Sequence, residues 1–153
     1  MPNYKTHLVA GTVTYAGLLV AMQSSFNPNL FTALQWLSCC LIGSLFPDID
    51  TKSKIQKLFY IFLLIVLITL TLKNKTKLFM PLSFIGIIPL IVNHRGIFHK
   101  LWFIIAIGLT IVLIVNIYSP SQTTLALNNV IFFIAGAFSH LWLDLGIRKT
   151  IKI

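Results

Sequence analysis

Glutamate is absent from this sequence, and the only acidic residues among its 153 positions are three aspartates. Charged residues of both signs make up 10%, against about 25% in an ordinary soluble domain. So little charge cannot cover a water-facing surface, which excludes a soluble enzyme, a disordered segment and a conventional nucleic-acid module. Long linkers, internal repeats and low-complexity tracts are also missing, so the chain reads as a single domain, residues 1–153. Cysteine is confined to the adjacent pair Cys39 and Cys40 inside an apolar run. Adjacency supplies neither a disulfide framework nor metal-ligand spacing, and the pair reads as small buried hydrophobes.

Apolar residues are what the chain has in plenty: 57% of the sequence, with a mean hydropathy of +0.89. Six apolar stretches run over residues 8–22, 30–46, 58–72, 78–92, 101–118 and 125–146. A helix crossing the hydrocarbon needs about 20 residues and at least about 17. The second, fifth and sixth stretches satisfy this. The first, third and fourth do so only by borrowing flanking residues, and the pair 58–72 and 78–92 is compatible with a shallow hairpin. The fold class is therefore all-α: a polytopic, lipid-embedded helical bundle of about six apolar helices, some of them short or re-entrant.

The charge that remains is basic, formally +9. Without a polar domain on which Lys and Arg could form a phosphate-binding stripe, this excess orients the chain in a membrane; it does not bind nucleic acid. With six crossings and the N-terminus inside, Lys5, Lys52, Lys54, Lys57, Arg95, Lys100, Arg148, Lys149 and Lys152 face the cytoplasm. Lys73, Lys75 and Lys77 lie outside, against the rule. Both termini are then cytoplasmic. Lys5, an apolar run, and Ser24 with Ser25 together resemble a signal peptide. Cleavage is not expected, because it would remove His7.

Ionisable groups in so apolar a chain are functional candidates by default. The three aspartates are Asp48, Asp50 and Asp144; the histidines are His7, His94, His99 and His140. On the topology above all seven fall on the cytoplasmic side, in four clusters: His7 before the first segment, Phe46-Pro47-Asp48-Ile49-Asp50 after the second, His94-Arg95-Gly96-Ile97-Phe98-His99 after the fourth, and Ser139-His140 with Asp144 at the end of the sixth. Imidazole and carboxylate are the ligand types that suit zinc or a similar divalent ion. His140 and Asp144 are four apart, hence on one helix face. His94 and His99 are five apart with Gly96 between them, which places them on a turn leading into the fifth helix. Pro47 is expected to stop the second helix and hold the chain extended, so that Asp48 and Asp50 alternate. Seven candidates exceed the four ligands of one tetrahedral zinc, so one or two ions are expected.

The four boxes, in this order and across nearly the whole chain, resemble the YdjM-like family of small bacterial inner-membrane proteins described as metal-dependent hydrolases. Thr51 stands where that family often continues the Asp box with His. Phe98-His99-Lys100 stands where Thr-His-Ser is common, and a basic tail follows Gly146 in place of a Pro-containing segment. The resemblance implies an inner-membrane hydrolase acting at the cytoplasmic interface on a phosphoester such as a lipid headgroup. In that reading Asp48 or Asp50 accepts a proton from water, Arg95 clamps a phosphate, and Lys52, Lys54 and Lys100 draw anionic headgroups. A transporter or sensor using the same metal ligands without hydrolysis is the alternative. Trp36, Trp102 and Trp142 are expected to pack or to anchor at the membrane interface.

Overall fold

A computed structural model of the chain describes residues 3–22, 26–50, 53–74, 83, 86–87, 89–90 and 96–145. Five long helices hold most of them: α1 (Tyr4–Met22), α2 (Leu30–Leu45), α3 (Lys54–Leu72), α4 (Leu101–Tyr118) and α5 (Thr123–Leu145). Short 3₁₀ turns occupy Phe46–Asp50, Ile97–His99 and Pro120–Gln122, and no strand occurs among the described residues. The all-α expectation holds.

Four segments are long and apolar enough to cross a membrane: Leu30–Ile49, Lys54–Leu72, Leu101–Tyr118 and Pro120–Leu145. Among the described residues, four of the about six expected apolar helices thus reach spanning length. The third stretch qualifies because its helix starts at Lys54, four residues earlier than its apolar run. Ser53 makes that start possible by accepting from the Ile55 and Gln56 N–H groups at 3.2 and 3.3 Å. Likewise α1 starts at Tyr4, which places His7 inside the helix, not ahead of it. Most of stretch 78–92 lies outside the described residues.

Hydroxyls on the exposed faces bond back to their own helix: Thr12 to Leu8 O, Ser38 to Leu34 O, Thr69 to Ile65 O and Thr110 to Ala106 O, at 2.8–2.9 Å. Such bonds satisfy the hydroxyl internally, as an apolar surrounding requires. Large apolar side chains meanwhile point outward along every helix, among them Val13, Leu34, Phe62, Leu113 and Leu143. A water-soluble monomer would not present so continuous an apolar surface.

Two compact units make up the chain: Met1–Pro47 with His99–Ile153, and Asp48–Phe98. In the first, α2 and α5 run parallel, with contacts offset by 96 positions. Trp36 stacks on Phe132 at 4.9 Å, Cys40 meets Gly136, and the Ser44 carbonyl meets His140. Glycine makes this approach possible. A Cβ on Gly136 would overlap the Cys40 carbonyl oxygen, and one on Gly43 would overlap that of Phe133. Small residues let helix backbones close together where apolar burial supplies no drive between lipid-solvated helices.

Helix α1 packs antiparallel across this pair. The Cys40 Sγ donates to Gly11 O at 3.3 Å, and the Tyr15 hydroxyl to Ala33 O at 3.0 Å. Helix α4 lies antiparallel to α5, with Ile104 buried beside Ala137 and Leu141. Cys39 and Cys40 are both free, and Cys40 is wholly buried. Trp36 is a core residue, whereas Trp102 and Trp142 are half exposed. In the second unit the Tyr60 hydroxyl donates to Gly86 O at 2.9 Å, and Ile49, Ile55 and Phe98 are buried.

Candidate metal centre

The alternating helix directions of the first unit decide where its polar residues meet. His7 lies near the start of α1, His99 immediately before α4, and His140 and Asp144 in the last turns of α5. All four therefore come to one end. His7, His99 and His140 are each no more than 3% exposed, and the Asp144 side chain is 2% exposed. The four-residue spacing does what the sequence implied: His140 Nε2 lies 3.6 Å from Asp144 Oδ2 on one helix face. From α1, His7 Nε2 reaches 3.5 Å from the other carboxylate oxygen. The His7 and His140 rings stack at 3.8 Å with 18° between their planes. His99 meets the His140 ring edge-on, with centroids 5.7 Å apart.

His140 is oriented from α2. Its Nδ1–H donates to the Ser44 carbonyl oxygen, in the last turn of α2, at 2.8 Å. With Nδ1 carrying the proton, the neutral ring presents its Nε2 lone pair towards Asp144. A backbone carbonyl on the far nitrogen is the usual way a metal-binding histidine is fixed in tautomer and direction.

Three ligand atoms, one each from His7, His140 and Asp144, thus lie within 4.8 Å of one another. Zinc bonds of about 2.0–2.1 Å in a tetrahedron set ligand atoms about 3.4 Å apart. The observed 3.5 and 3.6 Å fit that spacing and are too long for good hydrogen bonds. A carboxylate buried between lone-pair donors is also electrostatically unfavourable unless a cation is shared among them. The donor set therefore fits a divalent metal ion.

Of the remaining sequence candidates, Asp48 and Asp50 belong to the second unit. Asp48 and Asp50 sit in the 3₁₀ turn after α2, where Ser53 Oγ donates to Asp48 O at 3.4 Å. The extended conformation expected there is not found. Proline's fixed φ suits a 3₁₀ turn, and at its second position the missing N–H is no loss. His94 and Arg95 lie outside the described residues. The turn expected before the fifth apolar stretch is present as Ile97–His99. Sequence reasoning missed Ser44, because a main-chain carbonyl leaves no residue signature. The usable signal was the matched run of small residues, Cys40, Gly43 and Ser44 against Gly136, Ala137 and Ser139.

The family model for the YdjM inner membrane protein matches residues 1–153. No curated protein and no solved structure matches the chain.

Proposed function

The chain belongs to the YdjM inner membrane protein family, and on that premise we propose that it is a membrane-embedded, metal-dependent hydrolase of a phosphoester, of the lipid-headgroup kind, at the cytoplasmic interface. The observation that carries the proposal is the buried trio His7, His140 and Asp144, with each imidazole Nε2 3.5–3.6 Å from an Asp144 oxygen and one imidazole locked by a backbone carbonyl. Two imidazoles and a carboxylate give three protein ligands, the number catalytic zinc sites use where structural sites use four.

A divalent ion held there would supply Lewis-acid polarisation of a phosphoryl oxygen and acidify water near neutral pH. His140 holds its position through Ser44 O, and His7 closes the trio from α1. Asp144 contributes the negative charge. Asp48, Asp50, His94 and His99 stay in the proposal as further ligands or proton acceptors on the strength of their sequence clusters. Arg95 stays as a phosphate clamp, since its planar fork matches phosphate oxygens. Placement of the trio at helix ends supports chemistry on a headgroup over transport, whose sites usually lie at broken helices near the bilayer midplane.

The test is turnover of a phospholipid and phosphodiester panel by detergent-purified protein carrying zinc or manganese, wild type beside His140→Ala. Turnover that is lost in His140→Ala, with membrane insertion intact, is expected. Full activity in His140→Ala would remove the site. Tight metal binding with no turnover on any substrate would favour the sensor or carrier reading.

A further inference from the structure

Because α2 and α5 run parallel, their first turns also meet, at the end of the unit away from the His/Asp trio. Asn128 and His140 are twelve positions apart on α5, about 18 Å along the axis at 1.5 Å per residue. A recess of about 370 Å³ opens there, lined among others by Phe26, Asn27, Thr32, Trp36, Thr124 and Asn128. Among the described residues its lining carries no Lys, Arg, His, Asp or Glu. What it offers is amides, hydroxyls and aromatic surface.

Two polar side chains stand out in its lining, one an amide on the wall of the recess and one an indole buried without a partner. Asn128 is 7% exposed and makes no side-chain hydrogen bond among the described residues. The Trp36 Nε1–H is likewise buried with no hydrogen-bond partner among them. Trp36 is held rigidly, stacked on Phe132 at 4.9 Å and met edge-on by Phe26 at 6.4 Å. Burying an indole donor without a partner is unfavourable, and so is setting an unbonded amide in an apolar wall. In helices otherwise so apolar, a Leu at 128 would serve packing better unless the amide has a ligand.

We propose that this recess is a second binding site, separate from the metal centre, for an uncharged polyhydroxylated ligand of the saccharide class. Amides pair with hydroxyls as both donor and acceptor, and aromatic rings pack against the C–H faces of a sugar ring. Without a cationic side chain the recess has nothing to compensate a phosphate or carboxylate. The same chemistry is presented by a free sugar and by a glycolipid headgroup. The proposal does not depend on the hydrolase reading.

The experiment uses full-length protein in a sugar-free detergent or in nanodiscs, since maltoside and glucoside detergents carry the probe chemistry themselves. Binding is measured by calorimetry in three arms: free glucose and maltose, a monoglucosyl diacylglycerol against diacylglycerol alone, and inorganic phosphate. Saturable binding in the first arm identifies a free saccharide; binding confined to the second identifies a glycolipid headgroup. Asn128→Leu should weaken the response at least tenfold at unchanged metal content. Thr124→Trp plugs the recess from an exposed position and should abolish binding, so the test survives if Asn128→Leu does not fold. No saccharide binding in either arm, binding that persists in Thr124→Trp, or phosphate binding in its place would overturn the proposal.

Discussion

At the scale of single residues, the account rests on how His140 is held. Its Nδ1–H is committed to Ser44 O at 2.8 Å, so its other nitrogen is aimed, 3.6 Å from one Asp144 oxygen, while His7 Nε2 stands 3.5 Å from the other. Asp144→Asn keeps the shape and removes the charge. It should lower metal affinity by more than the roughly 10–100-fold typical of losing an outer-shell partner, measurable by competition with a chromophoric chelator. Removing the ion leaves three lone-pair donors crowded in a buried space. If the ion is present at about 100 times its Kd, its loss removes about 2.7 kcal/mol of stability. Chelation should then lower Tm by roughly 5–10 °C, restored by adding zinc back. The pairing of His140 with Asp144 was legible in the sequence because a helix fixes where positions four apart point. The approach of His7 from α1 was not, because no local spacing encodes a contact between chain segments so far apart.

At the scale of elements, the α2–α5 contact sets the distance between Ser44 O and the His140 ring, and glycine sets that contact. Gly136→Val would drive a branched side chain into the Cys40 carbonyl. Overpacking of this kind costs about 1–3 kcal/mol, and it should reduce bound metal although residue 136 touches no ligand atom. Gly17 is the control: a Cβ there meets nothing within 4 Å, so Gly17→Ala should change Tm little and leave metal binding intact. Thermal scanning with metal analysis on both variants separates the two outcomes. Periodicity and length in the sequence were enough to place α2, α4 and α5. They were not enough for the start of α1 or for the turn at Phe46–Asp50. Pro47 there fits an extended chain and a 3₁₀ turn equally well by its φ, and only tertiary context chooses between them.

At the scale of the whole molecule, the composition was the most legible feature of all. A chain with 10% charge and 57% apolar residues folds into helices whose apolar side chains face outward, as membership of an inner-membrane family requires. The orientation expected from the excess of Lys and Arg, with the N-terminus inside, is open to direct test. In a background lacking Cys39 and Cys40, Ser121→Cys should react with a membrane-impermeant thiol reagent on intact cells. Lys5→Cys should react only after permeabilisation, and the reverse pattern would invert the topology.

The central claim is that His7, His140 and Asp144 hold a divalent cation. Its most direct test is the metal-to-protein ratio of purified, detergent-solubilised protein after dialysis against trace metal, for the wild type beside His7→Ala, His140→Ala and Asp144→Ala. The account predicts at least one equivalent in the wild type and a marked loss in each variant that still inserts and folds. Metal-free wild type, or variants that retain the full equivalent, would contradict it.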